Sequence, residues 1–276
     1  MAAHKEPGFL GFASQVSIIG IQSKWMSSVL KLIKRVTPRS LRRCIKRELI
    51  DYFKVPDVEW SLKNMRRLGF SPLAAVDVGA YRGEWAVLAR EVFPEISLLL
   101  VEAQEGRRPD LEAVKRSLGA GVDYRIALLG AKNGENVLFN EKSEAPTGSS
   151  VLADWGDSRA RKVSCTVQTL DAVLAQAGMP APELIKLDVQ GYELEVLKGA
   201  SSFLKHAQAI LLEVSLMAMY QNNPLLHEVV AFLLENNFVA YDICTLMRRP
   251  LDLALIQADM IFVPQNSPLL KSNLYE

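Results

Sequence analysis

Five acidic residues at the ends of apolar runs are the positions in this chain where chemistry can be done. In "AVDVGAYRGEW" an apolar run closes on Asp77, turns through Gly79 and Gly83, and continues with helical spacing. Glu102 closes the next run, "SLLLVEA", 25 residues after Asp77. Further on, "ELIKLDVQGYELEVLKGA" ends a run on Asp188 and opens a helix with Glu193, and Glu213 ends the run in "AILLEVS".

An apolar strand that hands over to a helix creates a crevice in which open α/β sheets bind ligands. A dinucleotide-binding turn has three glycines, G-x-G-x-x-G, so that backbone and helix N-terminus approach a pyrophosphate. Here the pattern is D-x-G-x-x-x-G, and Tyr81 fills the place of the middle glycine. An acid before the turn opposes a phosphate and suits a cation. S-adenosylmethionine carries an ammonium beside a sulfonium, and Gly79 lets the chain pass close to it without a Cβ. Glu102 stands where an acid hydrogen-bonds the hydroxyls of an adenosine ribose. Ala80 in the turn and Ala127 near the end of "VDYRIAL" complete the expected cofactor-binding set.

Methyl transfer to a hydroxyl is an in-line displacement that needs a collinear arrangement and a base for the hydroxyl proton. A carboxylate serves if burial or a second acid raises its pKa. Asp188, Glu193 and Glu213 are the candidates, and Asp188 has a second possible role in holding the cofactor's amino end. Glu193 also fits the first helical turn, where the helix dipole favours an acid. Lys186 reads as a partner for an acid. His4, His206 and His227 read as structural or solvated. Two acids without a third ligand do not make a metal site, and none is expected.

The elements that must position these residues alternate. "DVEWSLKNMRRLGF" reads as a helix closed by Gly69. Then come strand "LAAVDVG", helix "EWAVLAREV", strand "SLLLVEA", helix "RRPDLEAVKRSL" and strand "VDYRIAL". Residues 130–167 turn β-like, with "ENVLFN" and "KVSCTV" as strands. The rhythm resumes with helix "TLDAVLAQAG", strand "ELIKLDV", helix "YELEVLKGASSFL", strand "AILLEVS" and helix "PLLHEVVAFLLENN". "FVAYDIC" and "QADMIFVP" read as the last strands, joined by "TLMRRPLDLAL". Near-continuous apolar strands between helices imply a mostly parallel, doubly wound α/β sheet of seven strands, covered on both faces.

The 276 residues divide at about residue 60 into a basic N-terminal helical extension and this α/β domain. Net charge is +1, yet residues 1–54 carry 11 Lys/Arg against 3 Asp/Glu, or +8, which leaves 21 against 28, or −7, for the rest. In the extension, "SSVLKLIKRVTPRSLRRCIKRELIDYF" reads as two amphipathic helices broken at Pro38. They would cap the domain with their Leu/Ile face or lie peripherally on an anionic membrane. The acidic body without an aromatic-basic stripe excludes nucleic acid. Three scattered cysteines suit a reducing compartment. "GFLGFASQVSIIGIQ" is too short and polar to span a bilayer and lacks a signal-cleavage pattern. A cytoplasmic location follows as the expectation.

The blocks "AVDVGAYRGEWA", "LLLVEA", "TLDAVLAQAG", "LIKLDVQGYELEVLKGA" and "AILLEVS" resemble those of FkbM-family methyltransferases. The resemblance covers residues 73–263 and leaves residues 1–60 outside it. It implies a class I, Rossmann-like fold, S-adenosylmethionine as methyl donor, and a hydroxyl acceptor on a sugar, glycan or secondary metabolite. The variable segments 140–162 and 216–226 would shape the acceptor pocket. Tyr81 departs from the family pattern, which more often has Asn there. The rival readings are an NAD-dependent oxidoreductase, weakened by the missing glycine, and a binding module that keeps the fold without the chemistry.

Overall fold

The computed structural model describes residues 56–142, 146–155 and 160–272. The expected basic extension and its amphipathic helices lie outside the described residues. The chain divides into two compact units, Met1–Val55 and Pro56–Glu276, and the second carries the site.

The second unit opens with helix α1 (Val58–Arg67), whose N-cap Asp57 accepts hydrogen bonds from the backbone N–H of Glu59 and Trp60. Leu62 and Met65 bury its inner face, and Gly69, with φ 97°, turns the chain out of it in a conformation that favours glycine. Five strands form the parallel part of the sheet: β1 (Ala74–Val78), β2 (Ser97–Glu102), β3 (Val122–Ile126), β7 (Leu184–Leu187) and β8 (Ala209–Ser215). Between them run α2 (Glu84–Val92), α3 (Arg108–Leu118), α4 (Leu170–Ala177) and α5 (Glu193–Lys198). After β8 follow α6 (Leu226–Glu235), β9 (Phe238–Ile243), β10 (Met247–Arg248) and β11 (Leu255–Pro264).

The strand order is β3-β2-β1-β7-β8-β11, and β9 and β10 both pair antiparallel with β11. The chain order therefore reverses between β1 and β7, and a crevice opens at their carboxyl ends. Alternation sends Val76, Leu99, Ile185 and Ile210 to one face and Ala75, Leu98, Leu184 and Leu211 to the other, where each set joins a separate buried core. Burial of one large aliphatic side chain contributes roughly 1.5–3 kcal/mol, so both faces lock the register.

Three details differ from the expected elements. The sheet has eight strands, because two residues of the "TLMRRPLDLAL" joiner pair with the first part of β11 as β10. "VDYRIAL" is not one strand: β3 ends at Ile126, and Leu128–Leu129 form β4 of a separate small sheet. That sheet is completed by β5 (Asn136–Glu141) and β6 (Arg161–Gln168), in the region that read as β-like. The helix expected from "YELEVLKGASSFL" stops at Lys198. There Gly199 passes so near the Gly130 carbonyl that a Cβ would lie 2.2 Å from its oxygen.

Candidate active site

Strand alternation builds a charged layer at the carboxyl edge. Asp77 follows Ala75 on one face of β1, and Lys186 follows Leu184 on the adjoining β7. Glu213 follows Leu211 on β8 and lies opposite Asp259 of β11. Period-2 geometry puts all four on the face covered by α1 and α2. Asp77 is fully buried, and Lys186 Nζ lies 3.1 Å from its Oδ1. Burial raises the Asp77 carboxyl while Lys186 pulls it down. Burial works against the Lys186 ammonium, yet Asp77 and Asp188 hold its pKa above the ordinary lysine value.

The turn after β1 is shaped by close approach. Gly79 has φ 74°, and a Cβ on it would lie 1.9 Å from the Asp188 carbonyl oxygen. Glycine is thus needed where the β1 and β7 turns meet. The N–H groups of Gly79 and Ala80 donate to the Val101 carbonyl. Tyr81 has φ 49°, a left-handed conformation that Asn tolerates better than Tyr. Its N–H donates to Glu102 Oε2 at 2.8 Å, and its ring lies between the Arg82 and Arg107 guanidinium groups. At Gly83, expected to touch a cofactor, a Cβ would meet Val114 and Leu100 at 3.0–3.2 Å, so close packing at the start of α2 also favours glycine there.

Two cavities meet at Gly79, Tyr81, Thr147 and Asp188. The first runs from Glu102 past Ala103, Ala127 and Leu128 to Asp188. Glu102 is buried, and its Oε1 accepts from the Gln104 N–H at 2.9 Å. Burial raises its carboxyl above the usual range, and the Gln104 and Tyr81 N–H groups draw it back. The second cavity is lined by Ala80, Trp85, Lys186, Asp188, Glu213 and Asp259, among others.

The expected site residues divide accordingly. Gly79, Glu102, Ala127 and Asp188 line the first cavity, and Gly79, Ala80, Asp188 and Glu213 the second. Asp77, expected to meet a cofactor's cation, is sealed beneath the turn and meets Lys186, the acid partner anticipated for that lysine. Asp77 is buried, whereas the Asp188 side chain is 41% exposed. Glu193 is among the lining residues of neither cavity. Its Oε1 accepts from the N–H groups of Val189 and Gly191, at 3.0 and 3.2 Å, and fastens the β7–α5 turn from within. Burial pushes its carboxyl up to about 7.

Gln190 is the functional side chain that sequence reasoning missed. It has φ 57°, and its Nε2 donates to Asp188 Oδ1 at 2.9 Å and to Glu213 Oε1 at 3.2 Å. The Tyr220 hydroxyl donates to Gln190 Oε1 at 2.7 Å, which fixes the amide's orientation. Gln257 Nε2 donates to Glu213 at 2.6 Å. Burial raises the Glu213 carboxyl strongly, and Asp188, Glu193 and Asp259 add to it. The "VQG" turn does contain Gln190, but nothing local announces a bridge between carboxylates on two strands.

The first cavity also tests what it can bind. Among the described residues it is lined by the carboxylates of Glu102 and Asp188 and by no Lys, Arg or His. A pyrophosphate would meet two anions and no cation there. A nucleoside with a positive charge fits: Glu102 has lone pairs for vicinal hydroxyls, Ala103, Ala127 and Leu128 are apolar lining residues, and Asp188 adds a second carboxylate.

The strand order, the crevice at its reversal and this cation-seeking groove define a class I, Rossmann-like methyltransferase fold. A family model described as Methyltransferase FkbM domain matches residues 77–240, more than half of the 276 residues. The chain belongs to the FkbM methyltransferase family. A curated relative is the hexuronic acid methyltransferase AglP of Haloferax volcanii, 36% identical over 101 residues, which are 36% of this chain and 38% of that one. Among similar solved structures, methyltransferase FkbM from Methylobacillus flagellatus KT is 18% identical with TM-score 0.46, over 69% of this chain and 43% of that one. A putative O-methyltransferase from Klebsiella pneumoniae is 15% identical with TM-score 0.44, over 88% of this chain and 99% of that one. The chain thus spans less than half the length of the Haloferax and Methylobacillus proteins it matches. Among the described residues, no helix is long and apolar enough to cross a membrane.

Proposed function

We propose that this chain is an S-adenosylmethionine-dependent O-methyltransferase whose acceptor is a hydroxyl of a sugar, a glycan or a secondary metabolite. The observation that carries the reading is the first cavity, lined by the carboxylates of Glu102 and Asp188 from the two sides of β1 and by no cation among its described lining residues. Membership of the FkbM family supports the donor, and the Haloferax relative, named for a hexuronic acid, supports a sugar acceptor. When bound, S-adenosylmethionine supplies a methyl group made electrophilic by its sulfonium. Glu102 would hold the ribose hydroxyls and the apolar lining at Ala127 the adenine.

Asp188 lines both cavities and is the proposed base, with its carboxylate oriented by Gln190. It would accept the acceptor's hydroxyl hydrogen bond and take up its proton. Glu213 would act through the same amide as a neighbouring acid that resists a second negative charge. Glu193 is assigned to holding the turn.

Calorimetry with S-adenosylmethionine, followed by a methyl-transfer screen on sugar acceptors, tests the reading. Asp188→Asn should lower turnover by ~10²–10⁴, the range that general-base catalysis supplies, and cofactor affinity by a much smaller factor, the loss of one of the cavity's two carboxylates. A joint loss of affinity and turnover would reassign Asp188 to the cofactor's amino end. Tight cofactor binding with no transfer to any acceptor would favour a binding module.

A further inference from the structure

The second cavity is rich in acids. Glu84, Asp188, Glu213 and Asp259 line it, and Lys186 is the one cation among its described lining residues. That cation is already engaged, with Nζ 3.1 Å from Asp77 Oδ1 and 3.1 Å from the Gly79 carbonyl oxygen. Buried Asp77 cancels its charge, and only its longer 3.6 Å contact reaches Asp188. The partners of Glu213 and Asp259 are neutral: Gln190 and Gln257 donate to Glu213, and the Thr245 hydroxyl donates to Asp259.

A further observation points to a ligand here: Trp85 lines the cavity, and its Nε1 is buried without a hydrogen-bond partner. Carboxylates accept hydrogen bonds from hydroxyl and ammonium groups, whereas an indole N–H donates to an ether or hydroxyl oxygen. Together with the apolar wall of Val58 and Leu211, this donor and acceptor set matches a ring bearing several hydroxyls.

We propose that this cavity takes the methyl acceptor, and that the acceptor is a polyhydroxylated molecule with no negative charge, an amino sugar being preferred over a neutral one. The proposal rests on the methyltransferase reading above. An ammonium group would meet four carboxyl groups able to accept its hydrogen bonds, beside a lysine already engaged with Asp77 and the Gly79 carbonyl. A uronate would bring a further carboxylate against Glu84 and Asp188, where Lys186, the one cation of the described lining, is already engaged. Juxtaposed like charges are strongly unfavourable, enough to separate the two classes of sugar by on the order of 10²-fold. The acceptor preference would therefore differ from the one for which the Haloferax relative is named.

The experiment uses the full chain and three probes, the methyl glycosides of glucosamine, glucose and glucuronic acid. Calorimetry first establishes that S-adenosylmethionine binds, since its failure to bind would sink the methyltransferase reading itself. With binding established, kcat/KM should fall in the order glucosaminide, glucoside, glucuronide, with the last roughly 10²-fold below the first. Asp259→Asn and Glu84→Gln, made separately, should each narrow that gap about tenfold, the effect of removing one like charge, with cofactor affinity unchanged. Preference for the glucuronide overturns the proposal, and so does cofactor binding without transfer to any of the three. Variants that shift cofactor affinity and leave the acceptor order intact overturn it too, because the cavity would then hold the cofactor's methionyl end.

Discussion

Asp77 and Lys186 face one another in register on adjoining parallel strands, and the carboxylate is wholly buried with the ammonium 3.1 Å from its Oδ1. The acid that ends the first strand is therefore not the ligand's first contact. It holds in place a lysine that donates to the Gly79 carbonyl at 3.1 Å and thereby steadies the turn at which both cavities meet.

This pairing sets the first expectation. Removing one partner of a buried ion pair strands the other charge and costs about 3–5 kcal/mol. Lys186→Met should lower stability by that amount in urea denaturation. Adding Asp77→Asn removes the stranded charge and should restore most of the loss. A double variant as unstable as Lys186→Met alone would mean that packing, not charge, holds the two strands.

The second expectation separates close approach from backbone strain. Gly79 and Gly119 have nearly the same φ, 74° and 75°. A Cβ at position 119 meets nothing within 4 Å, whereas at position 79 it would overlap the Asp188 carbonyl. Gly119→Ala should cost about 1–3 kcal/mol, the strain alone. Gly79→Ala adds forced displacement of the β7 turn and should cost about 3 kcal/mol or more, with loss of cofactor binding. Equal melting shifts for the two variants would remove the crossing from the account.

Much of this arrangement was legible from the chain alone. Uninterrupted apolar runs such as "AAVDV" and "SLLLVE" specify buried parallel strands, and the acids at their ends mark the crevice. What was not legible depends on register between distant strands. Nothing near Asp77 in sequence says that Lys186 will lie beside it, or that Asp259 will lie opposite Glu213. Glu193 read equally as base or helix-terminal acid, and nothing local announces that it accepts two backbone hydrogen bonds within the turn. Gln190 was invisible for a related reason, since an amide becomes a bridge only once Asp188, Glu213 and Tyr220 have been brought to it. The spacing of Gly83 from Gly79 likewise carries no information about α3, whose Val114 a Cβ at that position would meet.

The third expectation concerns Glu102. Its carboxylate accepts from the N–H groups of Tyr81 and Gln104, so it shapes the turn as well as facing the first cavity. Glu102→Ala should weaken S-adenosylmethionine binding by one to two factors of ten, the loss of charge-assisted hydrogen bonds worth roughly 1.5–3 kcal/mol. Glu102→Gln keeps one acceptor oxygen and should fall between the variant and the native chain. Calorimetry on both reads the outcome, and unchanged affinity in folded Glu102→Ala protein would take the residue out of the binding site.

The last expectation follows from Glu193, whose folded-state pKa of about 7 exceeds the ordinary 4.5 because of burial. Below pH 4.5 the folded and unfolded chains both hold the proton, and the residue introduces no pH dependence. As pH rises from 4.5 to 7, the unfolded chain releases a proton that the folded chain retains. The folded state is then progressively disfavoured, by about 3 kcal/mol once pH exceeds 7. Glu193→Gln keeps an oxygen for the Val189 and Gly191 N–H groups and cannot ionise. Other buried carboxyls, Asp77, Glu102 and Asp259 among them, titrate in both proteins, so the difference in unfolding free energy between native chain and variant reports Glu193 together with its coupling to Glu213. That difference should be level below pH 4.5, shift in the variant's favour up to pH 7, and level off again. A difference that does not change with pH would mean that the Glu193 carboxylate is already ionised across this range, held so by the turn's N–H groups.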